Sequence, residues 1–472
     1  MSDYTVIIHG WSDCSDSFVD LKKRLHRAGI GDLKTILYAD YESREDNITF
    51  NDVVQGLNDQ FIENGIINPD GTKLKDINVI VHSTGGLIIR QWIYDYYCKD
   101  GDRLAQCPIK RLVMLAPANF GSPLAHRGKS FLGSLFKGRW KLGDFLEVGR
   151  QLLEGLELAS PYQWNLAHQD LLLPKPYYNA QQIQTTILVG NKDYSDFRGW
   201  INKPGTDGTV VIAGTSLDSA KVVLDFSNPP RQPRQYVPFN WTIKNPADDF
   251  AFGVLPDLDH GSIIEQAAAN SPVADYLIEA LTTADAAQFH ELQGKLEHLT
   301  ETTCQGNKDI YQQFIVHAVD QFNEPIRDFT MEFFVLKASK HTDGLLNDRR
   351  ISSAEETLSQ QANDAMLAEV HTHTVDPSFR RLLVNLGQMR NLLKQAEQQL
   401  GEPVLLGMRV YVPAIDKGIA YDLKSLENVV LYDPSHPTQD GLNFFYPNTT
   451  TLVELRVNRI CKYVSVSPNP HY

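Results

Sequence analysis

Through about residue 280, short apolar runs alternate with segments whose apolar residues recur at helical spacing. The runs lack the polar alternation of a half-exposed strand, which is typical of parallel strands covered by helices on both faces. Alternating strands and helices favour a doubly wound, mostly parallel α/β domain. The pattern predicts strands at 6–8, 35–38, 78–81, 111–115 and 185–189, and helices at 18–25, 50–61 and 85–97.

An insertion at 122–182 separates the last two of these strands. Its apolar residues recur at helical spacing, as in Val148, Leu152 and Leu156. Helices are therefore predicted within it. The chain has a formal net charge of −14, yet five basic residues of the insertion fall within fifteen positions: Arg127, Lys129, Lys137, Arg139 and Lys141.

Beyond residue 285 the pattern changes. The polar segment 291–306 predicts a linker or a short helix, and 379–400 predicts an amphipathic helix. Four apolar runs predict strands, the last with clear alternation. They lie at 314–319, 329–336, 405–412 and 450–457. We therefore predict an α/β domain at 1–285, a linker at 286–307 and a β-rich, sandwich-like domain with a helical insert at 308–472.

Ser83 lies in the strongest local motif, HSTGG at 82–86, where a predicted strand meets a helix. A serine at such a sharp turn is strained with its hydroxyl exposed, and it needs small neighbours because strand and helix nearly touch. Gly85 fits the position two residues later, whereas Val81 departs from the glycine or alanine that is usual two residues earlier. The motif predicts a nucleophile, and the alternative is a glycine-rich helix start with an incidental serine.

A nucleophilic serine needs a base that an acid orients. His260 lies in DHGSI at 259–263, a loop just before an apolar helical pattern, and is the predicted base. Asp207 lies in GTDGTV at 205–210, where a neighbouring glycine lets the loop turn towards the histidine. Asp193 follows the predicted strand 185–189 and is the alternative acid, or else only a turn or capping residue.

The oxyanion formed on an attacked carbonyl needs preorganised backbone N–H donors. Thr84, the residue after Ser83, is predicted to supply one. Trp11 follows His9 and Gly10 at the end of the first predicted strand and is the expected second donor. The alternative for the HGW segment is a tight turn with Trp11 packed in the core.

Four segments in this order resemble the lipase and esterase branch of the α/β-hydrolase superfamily: HGW at 9–11, HSTGG, GTDGTV and DHGSI. Similar patterns belong to bacterial triacylglycerol lipases, to the lecithin–cholesterol acyltransferase group and to GPI inositol-deacylase-like lipases. The stretch 115–123 resembles their T-P-x-x-G-S-P motif, with Ala116 in place of threonine. The resemblance covers about 4–280 and implies a sheet that begins at the family's usual third strand.

The resemblance implies a carboxylic ester hydrolase, a lipase, phospholipase or esterase, that acts on lipid-like substrates through an acyl-enzyme on Ser83. It makes the insertion at 122–182 look like a lid, whose basic residues would attract anionic lipid head groups and give peripheral membrane contact. The alternative is a solvated helical subdomain. Two other functions stay open, an acyltransferase with the same triad and a non-catalytic lipid-binding or scaffold protein on a hydrolase fold.

Charge and composition argue against several other classes. The acidic balance disfavours a nucleic-acid partner. No glycine-rich phosphate loop or dinucleotide fingerprint is found, so no cofactor is expected. His371 and His373 have no evident third ligand, so no metal is expected. Five dispersed cysteines predict reduced thiols. The sequence predicts neither a signal peptide nor a transmembrane segment, so we expect cytoplasmic synthesis, with any export by a leaderless route. It leaves the oligomeric state open.

Overall fold

The apolar runs of the N-terminal half form one six-stranded parallel sheet in the computed structural model. The first eight strands are β1 (Tyr4–His9), β2 (Leu33–Leu37), β3 (Ile77–His82), β4 (Ile109–Leu115), β5 (Gln184–Gly190), β6 (Ser219–Phe226), β7 (Phe239–Ile243) and β8 (Ala251–Leu255). The sheet has the order β2-β1-β3-β4-β5-β8, and every neighbouring pair is parallel. The predicted doubly wound sheet is thereby confirmed.

The described residues are 4–9, 15–31, 33–37, 48–101, 103–125, 150–194, 203–227, 239–243, 250–304, 310–342, 345–346, 352–422, 429–431 and 445–464. The chain divides into two units. The first consists of 1–219, 244–309 and 448–450, and the second of 220–243, 310–447 and 451–472. The second unit therefore takes one segment from within the predicted α/β domain.

Helices connect the parallel strands of the first unit. They are α1 (Ser15–Arg27), α2 (Phe50–Glu63), α3 (Gly85–Ile93), α4 (Arg150–Leu156), α5 (Pro161–Asp170), α6 (Ile212–Thr215), α7 (Ser262–Ala268), α8 (Pro272–Thr282) and α9 (Ala286–Thr303). A π-helical turn at Tyr94–Cys98 extends α3. The capping box of Thr49 and Asp52 satisfies backbone donors at the start of α2.

Helix α9 occupies most of the segment that was predicted as a linker. Phe289, Leu292 and Leu296 are buried along one face, at the spacing of an amphipathic helix. Gly253 in β8 makes room for this face, because a Cβ at that position would lie 2.8 Å from a Leu296 methyl carbon. The segment 286–303 is thus a helix rather than a linker, since its few apolar residues suffice to hold a helix against the sheet.

The described part of the insertion is packed into the first unit. Its side chains at the predicted apolar positions, Leu152, Leu153 and Leu156, are buried. Phe50 of α2 stacks on Tyr162 of α5 with ring centroids 4.3 Å apart. The rest of the insertion that was predicted as a lid, 126–149, lies outside the described residues, as do all five of its basic residues.

A buried ion pair ties the insertion to the helix that follows Ser83. Arg90 of α3 donates from Nε and Nη2 to the two carboxylate oxygens of Asp170, at 2.7 and 2.9 Å, and both side chains are fully buried. Arg90 also donates to the Asn119 carbonyl, and the Tyr178 hydroxyl donates to Asp170. Burial alone would lower the pKa of Arg90, but Asp170 more than offsets this and raises it. Both charges are thus held paired by several hydrogen bonds.

We expect Asp170→Ala to lower the free energy of unfolding by about 3–5 kcal/mol, because it leaves the Arg90 cation buried without a counterion. Denaturant unfolding followed by circular dichroism measures the loss. The matched control is Asp20→Ala, which breaks the exposed Lys23–Asp20 pair and should cost less than about 1 kcal/mol. Equal losses in the two variants would contradict the assigned importance of the buried pair.

The second unit is β-rich, as predicted. Its elements are β9 (Tyr311–Asp320), β10 (Thr330–Lys337), β11 (His341–Thr342), β12 (Leu345–Leu346), α10 (Ser353–Leu367), β13 (Glu369–Thr372), β14 (Phe379–Asn385), α11 (Leu386–Leu400), β15 (Val404–Tyr411), β16 (Ile419–Tyr421), β17 (Val429–Val430), β18 (Thr450–Val457) and β19 (Arg459–Cys461). One sheet has the order β13-β14-β9-β18-β6-β7 and another β10-β15-β17. Both sheets and both helices share one core, which includes Phe314, Phe333, Leu358, Leu393 and Leu406.

The prediction of one amphipathic helix over 379–400 is wrong for the first seven residues. Its first seven residues form β14, which pairs antiparallel with β13 and β9, and only Leu386–Leu400 is helical. Asn385 separates the two because its side chain accepts a hydrogen bond from the Gln388 N–H and caps the helix. A short apolar run beside a helix is ambiguous from periodicity alone.

Candidate active site

The three residues predicted for catalysis lie in loops at one edge of the parallel sheet. Ser83 follows β3, Asp207 lies between β5 and α6, and His260 follows β8. Parallel strands place their carboxyl ends at a common edge, which is where open α/β sheets hold their ligands. Residues far apart in the sequence therefore meet here.

The structure brings these three side chains into one hydrogen-bonded chain. Ser83 Oγ lies 3.1 Å from His260 Nε2, and Asp207 Oδ2 lies 2.9 Å from His260 Nδ1. Their exposed fractions are 5%, 1% and 0% in the order Ser83, His260, Asp207. Nucleophile, base and orienting acid are thus within hydrogen-bond reach of one another, in a site that is largely withdrawn from solvent.

The backbone around Ser83 has the strain that the motif predicts. Ser83 has a φ of +54°, a left-handed conformation that costs a side-chain-bearing residue free energy. Its N–H donates to the Leu115 carbonyl. Gly86 packs so closely that a Cβ there would lie 2.7 Å from the Pro117 Cβ. Val81, which departs from the small-residue pattern, is buried between Ile8 and Met114 in the sheet and is thereby accommodated.

The carboxylate of Asp207 is oriented by two backbone N–H donors in a tight turn that contains Gly208. Its Oδ1 accepts from the N–H groups of Thr209 and Val210, at 2.9 and 2.8 Å, which leaves Oδ2 directed at His260. Gly208 has a φ of +93°, and a Cβ there would meet the Tyr194 ring at 2.7 Å. The tight turn after the acid therefore requires glycine.

Asp193, the alternative acid, lies beside the same loop. Its Oδ1 accepts a hydrogen bond of 2.9 Å from the hydroxyl of Thr206, the residue before Asp207. The carboxylate found on the Nδ1 side of His260 is that of Asp207. Both predicted acids are thus near the site, but the geometry favours Asp207 as the partner of the base.

Several residues that hold the segment between β5 and α6, here called the acid loop because it carries Asp207, were not identified from the sequence. Ser122 Oγ donates to the Thr209 carbonyl at 2.6 Å, and Tyr194 OH lies 2.6 Å from Thr209 Oγ1. Asn119 Nδ2 donates to the Thr215 carbonyl. Ser122 and Asn119 lie in the stretch 115–123, whose motif indicates a family resemblance but no structural role. Its physical role, joining the loop after β4 to the acid loop, depends on pairs about 90 residues apart.

Of the two residues predicted to bind the oxyanion through their backbone N–H groups, the structure describes only Thr84. Thr84 is the N-terminal cap of α3, and its N–H donates to no acceptor among the described parts of the chain. Trp11 lies outside the described residues. Thr84 therefore has a backbone donor available beside Ser83, and the oxyanion role of both residues stays a prediction.

The part of the chain that the structure describes contains neither a metal-binding cluster nor a membrane-spanning helix. Within the described ranges, no three His, Cys, Asp or Glu side chains gather as a metal site. None of the helices described here combines the length and the apolar character needed to cross a bilayer.

The fold is that of the α/β-hydrolases, as the motifs predicted. Phospholipase PlaB from Legionella pneumophila matches with a TM-score of 0.76 at 21% identity, over 99% of this chain and 97% of that one. PlaB in complex with thio-NAD matches with a TM-score of 0.75 at 23% identity and the same coverage. The mature lipase BlEst2 from Bacillus licheniformis has a TM-score of only 0.35 at 17% identity, over 59% of this chain and 92% of that one. No family model and no curated sequence matches the chain.

The structural match with PlaB extends beyond the part of this chain that carries the hydrolase-like motifs. The resemblance in sequence ends near residue 280, whereas the structural likeness spans almost all of both chains. The β-rich second unit is therefore part of the shared architecture. At this level of identity the likeness establishes the fold, and activity has to be argued from the site.

Proposed function

We propose that the chain is a serine hydrolase that cleaves carboxylic esters of lipid-like substrates through an acyl-enzyme on Ser83. The observation that carries this proposal is the hydrogen-bonded chain Ser83–His260–Asp207 at the carboxyl edge of the sheet. Neither a folding requirement nor simple burial accounts for a strained serine whose hydroxyl is aligned with a histidine–carboxylate pair.

In the proposed reaction, His260 Nε2 takes the proton of the Ser83 hydroxyl as Oγ attacks the ester carbonyl carbon. The tetrahedral intermediate collapses when the imidazolium gives that proton to the leaving alcohol. Water then attacks the acyl-enzyme by the same route and releases the fatty acid and free Ser83. Asp207 holds the Nδ1–H tautomer and stabilises the imidazolium.

The negative charge on the substrate oxygen needs donors that are already in place. The Thr84 N–H lies directly after the nucleophile and serves as one donor in our proposal. Trp11 is proposed as the second donor on the ground of its sequence position after β1. Both would be backbone groups, so their side chains are not required for this role.

Phospholipids are the substrate class we favour among lipid esters. PlaB, which shares the architecture of both units, is named a phospholipase. The five basic residues at 127–141 stand out in a chain of net charge −14, and we propose that they attract anionic head groups when the insertion meets a lipid surface. Neutral glycerides lack that charge and should be poorer substrates.

Two assays test the proposal on the full chain. We expect hydrolysis of a p-nitrophenyl ester series to rise from acetyl to longer acyl chains, and release of fatty acid from phosphatidylglycerol vesicles to exceed release from triolein emulsions. A fluorophosphonate should label one serine, and peptide mass spectrometry should locate the adduct at Ser83. Added short alcohols distinguish acyl transfer, because an acyltransferase would form new ester.

Each outcome bears on a different part of the proposal. A wild-type chain that hydrolyses no ester and takes up no fluorophosphonate would contradict the hydrolase and favour a lipid-binding protein. Labelling at another serine would reject Ser83. Activity confined to short esters would keep the mechanism and reject the lipid substrate.

A further inference from the structure

His82, the last residue of β3, lies directly before the proposed nucleophile and has no role in the mechanism above. Its side chain is buried, and its Nε2 lies 3.2 Å from the carbonyl oxygen of His260. The two imidazole rings are 4.7 Å apart between centroids and tilted by 41°. A strand residue next to the serine thus touches the backbone of the base, 178 positions further along the chain.

The chemistry of this contact requires a proton on Nε2 of His82. A backbone carbonyl oxygen only accepts hydrogen bonds, so His82 Nε2 has to carry the proton and donate it. A neutral ring with the proton on Nε2 meets this requirement. A cationic ring would also donate, but it would place a second positive charge beside the imidazolium that His260 forms during the reaction.

His260 needs such support because it lies in a loop. The first hydrogen bonds of α7 use the carbonyls on either side of it, since the Ile263 N–H donates to the Asp259 carbonyl and the Ile264 N–H donates to the Gly261 carbonyl. The His260 N–H donates to the Asp207 carbonyl at 3.0 Å. The peptide groups on both sides of the base are thereby held, one by the acid loop and the other by His82.

We propose that His82 is a positioning residue for the base. By donating to the His260 carbonyl, it fixes the backbone from which the imidazole reaches Ser83 Oγ. This inference rests on the proposed function, because His82 acts only through His260. Displacing a reacting group by about 1 Å can cost about 100-fold in rate, so loss of the donor should reduce turnover without affecting the binding of substrate.

Three substitutions of His82 separate its hydrogen bond from its volume. Glutamine places an amide N–H at the level of Nε2, asparagine places it only at the level of Nδ1, and leucine has none. We expect His82→Leu and His82→Asn to lower kcat on a p-nitrophenyl ester about 10- to 100-fold with KM changed less than about threefold. His82→Gln should stay within about fivefold of wild type, since it keeps the donor.

A double-mutant cycle with His260→Ala shows whether the effect passes through the base. If it does, His82→Leu should lower the residual turnover of His260→Ala by less than about twofold, because no imidazole is left to position. All assays are run at least 15 °C below each variant's measured Tm, so that unfolding does not contribute.

The outcomes distinguish this inference from the proposed function. If His260→Ala hydrolyses esters as well as wild type, the proposed function itself fails. If His260→Ala is inactive but His82→Leu keeps wild-type kcat, only the positioning role is overturned. The same holds if His82→Gln loses as much kcat as His82→Leu, because the donor at Nε2 would then not be what matters.

Discussion

Replacing Ser83 by alanine is expected to lower kcat/KM for a p-nitrophenyl ester by about 10⁴- to 10⁶-fold, the loss seen when the nucleophile of a serine triad is removed. The substitution deletes the only atom that attacks the carbonyl in the proposed reaction, Oγ. What is left is the binding site with its backbone donors. Steady-state hydrolysis at saturating and subsaturating ester gives kcat and kcat/KM separately.

The fold should survive this change. Alanine and serine carry the same Cβ and therefore meet the same strain at a φ of +54°, so we expect Tm to shift by less than about 3 °C. Ser160→Ala is the matched control. Ser160 is as fully buried and caps α5 through a hydrogen bond from the Gln163 N–H, so alanine there should cost about 1 kcal/mol and leave turnover unchanged. Wild-type turnover in Ser83→Ala would reject the proposed nucleophile.

Asp207→Asn should reduce kcat by about 10⁴-fold, as loss of the orienting carboxylate does in other serine triads. The N–H groups of Thr209 and Val210 point at Oδ1, so an asparagine would keep its oxygen there and present its NH₂ to His260 Nδ1. The imidazole would then carry its proton on Nε2, facing Ser83. It could no longer accept the hydroxyl proton, although the site would look almost unchanged.

The variant Asp193→Asn tests whether Asp193, rather than Asp207, is the acid that orients His260. An asparagine oxygen at that position still accepts the hydrogen bond from Thr206, so we expect kcat to stay within about tenfold of wild type. Both variants are compared on one ester, with Tm measured for each. The reverse order of effects would make Asp193 the acid and overturn the role given to Asp207.

The motifs that we propose to be catalytic could be recognised from the sequence because local chemistry constrains each of them. A strand that turns sharply into a helix needs Ser83 strained and Gly86 small, and the turn after Asp207 needs Gly208. The parallel strands were equally accessible, since burial on both faces leaves continuous apolar runs. The expected order of serine, acid and histidine along the chain then left His260 as the predicted base.

Local patterns could not assign segments whose partners lie far away. β14 and α11 are contiguous and both apolar on one side, and only the pairing of β14 with β13 and β9 makes its seven residues a strand. In α9, three buried side chains in a polar segment left the choice between a linker and a short helix open, because the sheet that they cover is not visible in the local pattern. β6 and β7 join the sheet of the second unit, a choice that pairing decides and periodicity does not.

The sequence by itself determined the α/β class, and it predicted Ser83 as the nucleophile, His260 as the base and Asp207 ahead of Asp193 as the acid. Only the tertiary structure brought the Asp207 carboxylate to His260 Nδ1, because which carboxylate reaches that atom depends on how the loops after β5 and β8 meet in space. The contact of His82 with the His260 carbonyl was likewise invisible in sequence. Residue types at short spacing record local backbone needs, whereas hydrogen bonds between distant loops exist only once the sheet has set those loops side by side.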